Sequence, residues 1–173
     1  MTSPLLSIDA LLAQPDHWTV LEASAKGLRE PYAAGHLPGA RFADLSQQLS
    51  DATAAFPYTR PDAQAFGAAM RALGVSNDRQ VVIYDRDNGI WAARVWWLLK
   101  SFGHAQACVL EGGWRAWLAR GLPLDTTPEP VNPGDFTAVS QPGFFVDRAY
   151  VQQVIAGQHN AQLVNVWRRP VFR

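Results

Sequence analysis

The chain has 173 residues, of which 48% are hydrophobic and 17% charged, enough for one ordinary buried core and short for two. Lysine plus arginine equals aspartate plus glutamate at 15 each, so no basic field exists to hold nucleic acid or an anionic membrane, and neither partner is expected. The single cysteine rules out an internal disulfide framework and fits a reducing, cytoplasmic setting.

Residues Met1–Leu6 lack the charged and then apolar pattern of a signal peptide. Pro4 to Ser7 reads as a short strand. Ile8 to Ala13 follows as a short helix with Ile8, Leu11 and Leu12 apolar and Asp9 near its positive end. Trp18 to Ala23 is a run of β-formers, and Ala40 to Ala43 reads as a short strand after the Pro38-Gly39 turn. Pro61 suits the first turn of a helix to Leu73, whose Ala65, Phe66, Ala69, Met70 and Leu73 share a face before Gly74 stops it. Gln80 to Tyr84 is a continuous apolar strand of the kind buried on both faces of a parallel sheet.

A helix from Trp91 to Phe102, apolar on nearly all sides, ends at Gly103. The apolar stretch Ile90 to Leu99 is broken by Arg94 and too short to span a bilayer. Gln106 to Leu110 is another buried strand, and Trp114 to Arg120 another helix, closed by Gly121 and Pro123. Strands alternating with helices across short turns predict an α/β fold around a mainly parallel sheet. From residue 126 to 145 the texture is that of a linker, since Pro128, Pro130, Pro133 and Gly134 suit neither helix nor central strand. Beyond it, Val146, Val151, Val154 and Ile155 read as a helix and Leu163 to Val166 as a strand, echoing Ile8–Leu12 and Val20–Ala23. This weak repeat reads as the truncated start, 146–173, of a second copy of the domain, too small to bury a core of its own.

Tyr32 with His36-Leu37-Pro38-Gly39-Ala40, and Leu110-Glu111-Gly112-Gly113-Trp114 with Trp117 and Gly121, carry a further inference. Together with Val81–Tyr84, a six-residue loop and Ala93–Trp97, they resemble in order and spacing the non-catalytic N-terminal repeat of two-domain rhodaneses, the thiosulfate and 3-mercaptopyruvate sulfurtransferases. The match covers residues 4–125, with Ala43 where that family usually has a large apolar residue. The resemblance implies a rhodanese-like sheet of about five strands with helices on both faces. It also implies sulfane-sulfur transfer through a cysteine persulfide to cyanide or a thiol, with small sulfur donors and acceptors as partners and no cofactor or metal. In that family the cysteine opens a loop whose N–H groups and helix N-terminus form an anion nest. Here Asp85 stands in its place, followed by Arg86, Asp87, Asn88, Gly89 and Ile90. A carboxylate accepts those N–H bonds and cannot carry sulfur, so the loop is expected to be a degenerate active site without a catalytic residue.

Each notable residue also has a plainer reading. Cys108, inside a buried strand, reads as inert packing. His36 reads as a turn-holding residue rather than a general base. Asp85 and Asp87 suggest the Asp-x-Asp loop of an Mg²⁺-dependent aspartyl phosphatase, against which stands the expectation that Asp87 or Asn88 caps the next helix while Asp85 fills the cysteine's place. The same run fails as a calcium loop, its glycine one residue early. Trp91, Trp96 and Trp97 cover much of one helix, so an unpartnered part of that face implies self-association. Arg168, Arg169 and Arg173 read as a disordered basic tail. The rival to a lost catalytic role is a stand-alone binding or regulatory module on the same scaffold.

Overall fold

The two-residue period of a strand sends alternate side chains to opposite faces. In the computed structural model, which describes residues 3–25, 28–127 and 130–166, this alternation splits the apolar residues between the faces of one sheet. The strands are β1 (Leu5–Leu6), β2 (Trp18–Ser24), β3 (Arg41–Asp44), β4 (Gln80–Tyr84) and β5 (Ala107–Leu110). They pair in parallel in the order β1-β5-β4-β2-β3. The helices are α1 (Ile8–Ala13), α2 (Arg29–Ala34), α3 (Ala63–Ala72), α4 (Ile90–Ser101), α5 (Gly113–Ala119) and α6 (Arg148–Ile155).

On one face Val20, Val82, Cys108 and Leu110 pack with Ile8 and Leu11 of α1 and Trp117 of α5. On the other, Leu21, Ala23, Val81, Ile83 and Ala107 pack with Phe66 and Met70 of α3 and Val95, Leu98 and Leu99 of α4. The parallel α/β sheet expected from the alternating elements is present. Its order reverses beside β2: the chain steps outward to β3 and then returns on the other side as β4. Ligand crevices in open parallel sheets form at such reversals, beyond the carboxyl ends of the strands.

Element edges differ from the sequence expectation for local reasons. The helix expected from Pro61 starts at Ala63, because Asp62 stays extended as N-cap and its Oδ1 accepts the Ala65 N–H at 2.7 Å. Helix α2 had no sequence signal: it is six residues long, contains Pro31 and lacks a side-chain N-cap bond.

Residues 130–141 form neither helix nor strand, as their prolines require, yet they are packed rather than linker-like. Val139 and Gln141 donate N–H bonds to Phe102 and Ser101 at 2.9 and 2.8 Å, and Gly134 donates one to Arg71 at 2.8 Å. A Cβ on Gly134 would lie 1.9 Å from the Val75 carbonyl oxygen, so only glycine permits this approach. The ring of Phe136 is 1% exposed and meets Phe66 edge-on at 6.2 Å. The apolar phenylalanine supplies a reason to dock that the proline texture hides.

The chain separates into two compact units, Met1–Gln141 and Pro142–Arg173. In the second, Asp147 caps α6 by accepting the Tyr150 N–H at 2.7 Å. The strand expected at Leu163–Val166 is not formed. A strand needs a ladder partner, and among the described residues this unit holds no other strand. Arg168, Arg169 and Arg173 lie outside the described residues. Among those described, no helix is long and apolar enough to cross a membrane.

Truncating Phe136 to alanine should lower stability by about 3–5 kcal/mol, as for other buried aromatics. Chemical denaturation reads this as a lower midpoint. A change within about 0.5 kcal/mol, typical of a surface site, contradicts a packed role for this segment.

Candidate active-site loop at the end of β4

Strand β4 ends at Tyr84, and the loop that follows folds onto the side chain of its first residue. Asp85 is 3% exposed. Its Oδ1 accepts the N–H groups of Asp87 and Gly89 at 3.1 and 3.0 Å, and its Oδ2 accepts those of Trp91 and Ala92 at 2.9 and 3.0 Å. Gly89 makes the convergence possible, since it enters α4 with φ +88, a left-handed conformation that other residues adopt at a cost. The first N–H groups of α4 and its positive dipole end favour an anion at this point, and the chain supplies its own. A carboxylate offers roughly four lone-pair sites, and all of them are engaged.

The N-cap residue is Gly89, and the side chain that accepts the first free N–H groups of α4 is that of Asp85, not of Asp87 or Asn88 as the sequence suggests; both of those are exposed. The unsatisfied amides of α4 face the strand end rather than solvent, where Asp85 is already anchored. Ile90 opens α4 and is 57% exposed. The Gly112-Gly113 turn closes the loop from the other side, with the Trp114 N–H donating to the Asp85 carbonyl at 3.2 Å.

Arg86 turns away from the loop mouth toward the sheet. Its Nε and Nη2 donate to the two carboxylate oxygens of Glu22 at 2.6 and 3.1 Å, Nη2 also donates to the Gly35 carbonyl, and the guanidinium lies 4.0 Å from the Trp114 ring centroid. Glu22 is 0% exposed and stands opposite Tyr84 in the β2–β4 register. The Tyr84 hydroxyl donates to Glu22 Oε2 at 2.5 Å and accepts the Leu37 N–H at 3.2 Å. Burial first, then the Glu22 charge, pushes the Tyr84 hydroxyl far above its ordinary value, so it stays protonated as a donor. This buried group ties β2, β4, the 35–40 turn and α5 into one frame under the loop. Glu22 was read only as part of a strand. The available signal was a carboxylate flanked by Leu21 and Ala23 within a strand of mostly apolar residues.

His36 is buried in the turn it was expected to hold. Its Nδ1 lies 2.9 Å from the Tyr32 carbonyl, its ring stacks on Tyr32 at 4.1 Å, and its backbone exchanges N–H bonds with Asp125 at 2.8 and 2.9 Å. The Tyr32 hydroxyl donates to the Ala40 carbonyl at 2.7 Å, closing the Leu37–Gly39 turn.

Cys108 lies on β5 level with Val82, below the loop, and its thiol approaches the Val81 carbonyl at 3.7 Å. Burial pushes this thiol up to about 11, against a small opposing effect of Lys100, so near neutrality it is a thiol rather than a nucleophilic thiolate. A cleft of about 360 Å³ opens beside the loop, its lining including Asp87, Gly89, Glu111, Gly112 and Arg115 as well as Asp85, and not Cys108. Of the tryptophans, Trp91 packs on Tyr58 at 5.1 Å and Trp96 donates to the Ala107 carbonyl at 2.9 Å, while Trp97 is 37% exposed.

The rhodanese-like domain family matches residues 11–120. The 3-mercaptopyruvate sulfurtransferase of Escherichia coli K12 is 33% identical over 168 residues, covering 96% of this chain and 56% of that protein. The thiosulfate sulfurtransferase of Rattus norvegicus is 38% identical over 126 residues, covering 69% and 42%. Among solved structures, SseA from Escherichia coli superposes with a TM-score of 0.80 at 31% identity, over 92% of this chain and 63% of that one. The chain spans about half the length of the curated relatives it matches. The fold, the ordered motifs and these likenesses agree: the chain belongs to the rhodanese-like domain family.

Proposed function

We propose that this chain is the non-catalytic repeat of a thiosulfate- or 3-mercaptopyruvate-type sulfurtransferase, with 4–125 as its rhodanese-like domain and 146–173 as the start of a second repeat. The loop of Asp85, Arg86, Asp87, Asn88, Gly89 and Ile90 is in this reading a degenerate active site. The observation that carries it is the saturation of Asp85 by four backbone N–H groups at the carboxyl end of β4. Sulfur transfer through a persulfide needs a thiolate that gives its electron pair to the donor's outer sulfur, breaks the bond to the leaving anion and then yields that sulfur to an acceptor. A carboxylate forms no such S–S bond, and Cys108 is buried with its proton held. The partners of the whole protein are small sulfur donors and acceptors, and a single cysteine fits a cytoplasmic setting.

The cleft of about 360 Å³ next to the loop favours one further reading, a binding or regulatory module that uses loop 85–90 as a contact. Exposed Ile90 and Trp97 on α4 support self-association through that face.

With thiosulfate and cyanide as substrates, the chain should produce no thiocyanate above the uncatalysed rate. Turnover at an ordinary enzymatic rate that Cys108→Ser abolishes overturns the proposal. Sedimentation velocity tests the α4 face separately: a mass that rises with concentration is expected, and a monodisperse monomer across the range removes self-association.

A further inference from the structure

The loop pairs an asparagine with a following glycine, Asn88-Gly89, and Asn88 is exposed. This dipeptide is chemically fragile because glycine has no side chain to hinder its own nitrogen. The Gly89 nitrogen loses its proton and attacks the Asn88 side-chain carbonyl carbon. A C–N bond forms, the C–N bond to the amide nitrogen breaks, and ammonia leaves. The resulting five-membered succinimide is opened by water at either carbonyl, giving aspartate or isoaspartate. Water is the only co-reactant, and nothing is oxidised or reduced.

That attack needs the Gly89 N–H, and the structure commits it elsewhere. The Gly89 N–H donates to Asp85 Oδ1 at 3.0 Å, on an oxygen that also holds the Asp87 N–H at 3.1 Å. Removing the proton would create a second negative charge against a carboxylate, in a buried site where such repulsion is poorly screened. It would also break a charge-assisted bond and leave an Asp85 lone pair unsatisfied. The Gly89 carbonyl is fixed as well, accepting the Ala93 N–H at 2.9 Å as the first bond of α4. Turning the Asn88–Gly89 peptide toward the Asn88 side chain therefore breaks the bond to the carboxylate while the next peptide unit stays held by the helix start.

We propose that Asn88 is a latent deamidation site held in check by the Asp85 carboxylate, which sequesters the Gly89 nitrogen that would otherwise attack it. The product would matter to this loop. It adds a negative charge beside Asp85 and Asp87, and isoaspartate lengthens the backbone by one methylene between the two N–H groups that grip Oδ1.

The test incubates the folded protein in mild alkali and follows the tryptic peptide 87–94 by mass spectrometry for the gain of one mass unit. The free synthetic peptide gives the unrestrained rate. The folded protein should react slower than the peptide by about tenfold or more, the change expected from one charge-assisted hydrogen bond. Asp85→Ala should approach the peptide rate, and Asp85→Asn, which keeps an acceptor oxygen without the charge, should fall between. A folded wild-type rate equal to that of the peptide overturns the proposal, as does a folded Asp85→Ala variant with an unchanged rate. If Asp85→Ala does not fold, Asp85→Asn decides alone: no acceleration overturns it.

Discussion

A carboxylate held by four backbone N–H groups organises the loop at the carboxyl end of β4. Every other feature of the loop follows from satisfying it. The left-handed Gly89 aims the amides, α4 begins where its unsatisfied N–H groups meet Asp85, and the Gly112-Gly113 turn seals the backbone side. The geometry is that of an anion-binding nest at a helix N-terminus. What sets it apart is that the anion is covalently part of the chain. A tethered carboxylate is present at very high effective concentration, so an external anion competes at a large disadvantage.

Beneath the loop, Glu22 and Arg86 form a buried charged pair completed by Tyr84 and Trp114. Such pairs are weak evidence for stability, because desolvation offsets the attraction, whereas removing one partner strands a buried charge at a penalty of about 3–5 kcal/mol. Their role here is positional. Arg86 follows Asp85 directly, so fixing its guanidinium between Glu22, the Gly35 carbonyl and the Trp114 ring fixes where the Asp85 backbone leaves the sheet. The same pair joins the 35–40 turn, with its buried His36 and Tyr32, to the loop. The Tyr32–Ala40 and Leu110–Trp114 motifs are thereby physically connected through Arg86, which belongs to neither.

The sheet was legible because its strands are rich in apolar residues and β-formers; Gln80–Tyr84 has the same limits in sequence and structure. The reading of loop 85–90 rested on resemblance alone, since an apolar strand ending in aspartate fits several chemistries. The choice of cap was not legible. Asp85, Asp87 and Asn88 all have capping side chains, and only the direction in which β4 delivers them separates one from the others. Glu22 was missed because its partner lies 64 residues away in sequence. Phe136 was missed because the surrounding prolines and glycine describe backbone preference and say nothing of a buried ring. The strand read into Leu163–Val166 shows the converse limit: β-propensity describes fitness for a ladder and cannot supply the partner.

The occupied nest is tested most directly by amide hydrogen exchange at Gly89, Trp91 and Ala92. The account predicts that these three amides are protected in the wild-type protein. It further predicts that they lose protection together in Asp85→Ala, while Val82 and Ile83 in β4 keep theirs. Free exchange of the three amides in the wild-type protein would mean that the carboxylate does not fill the nest, and would contradict the account.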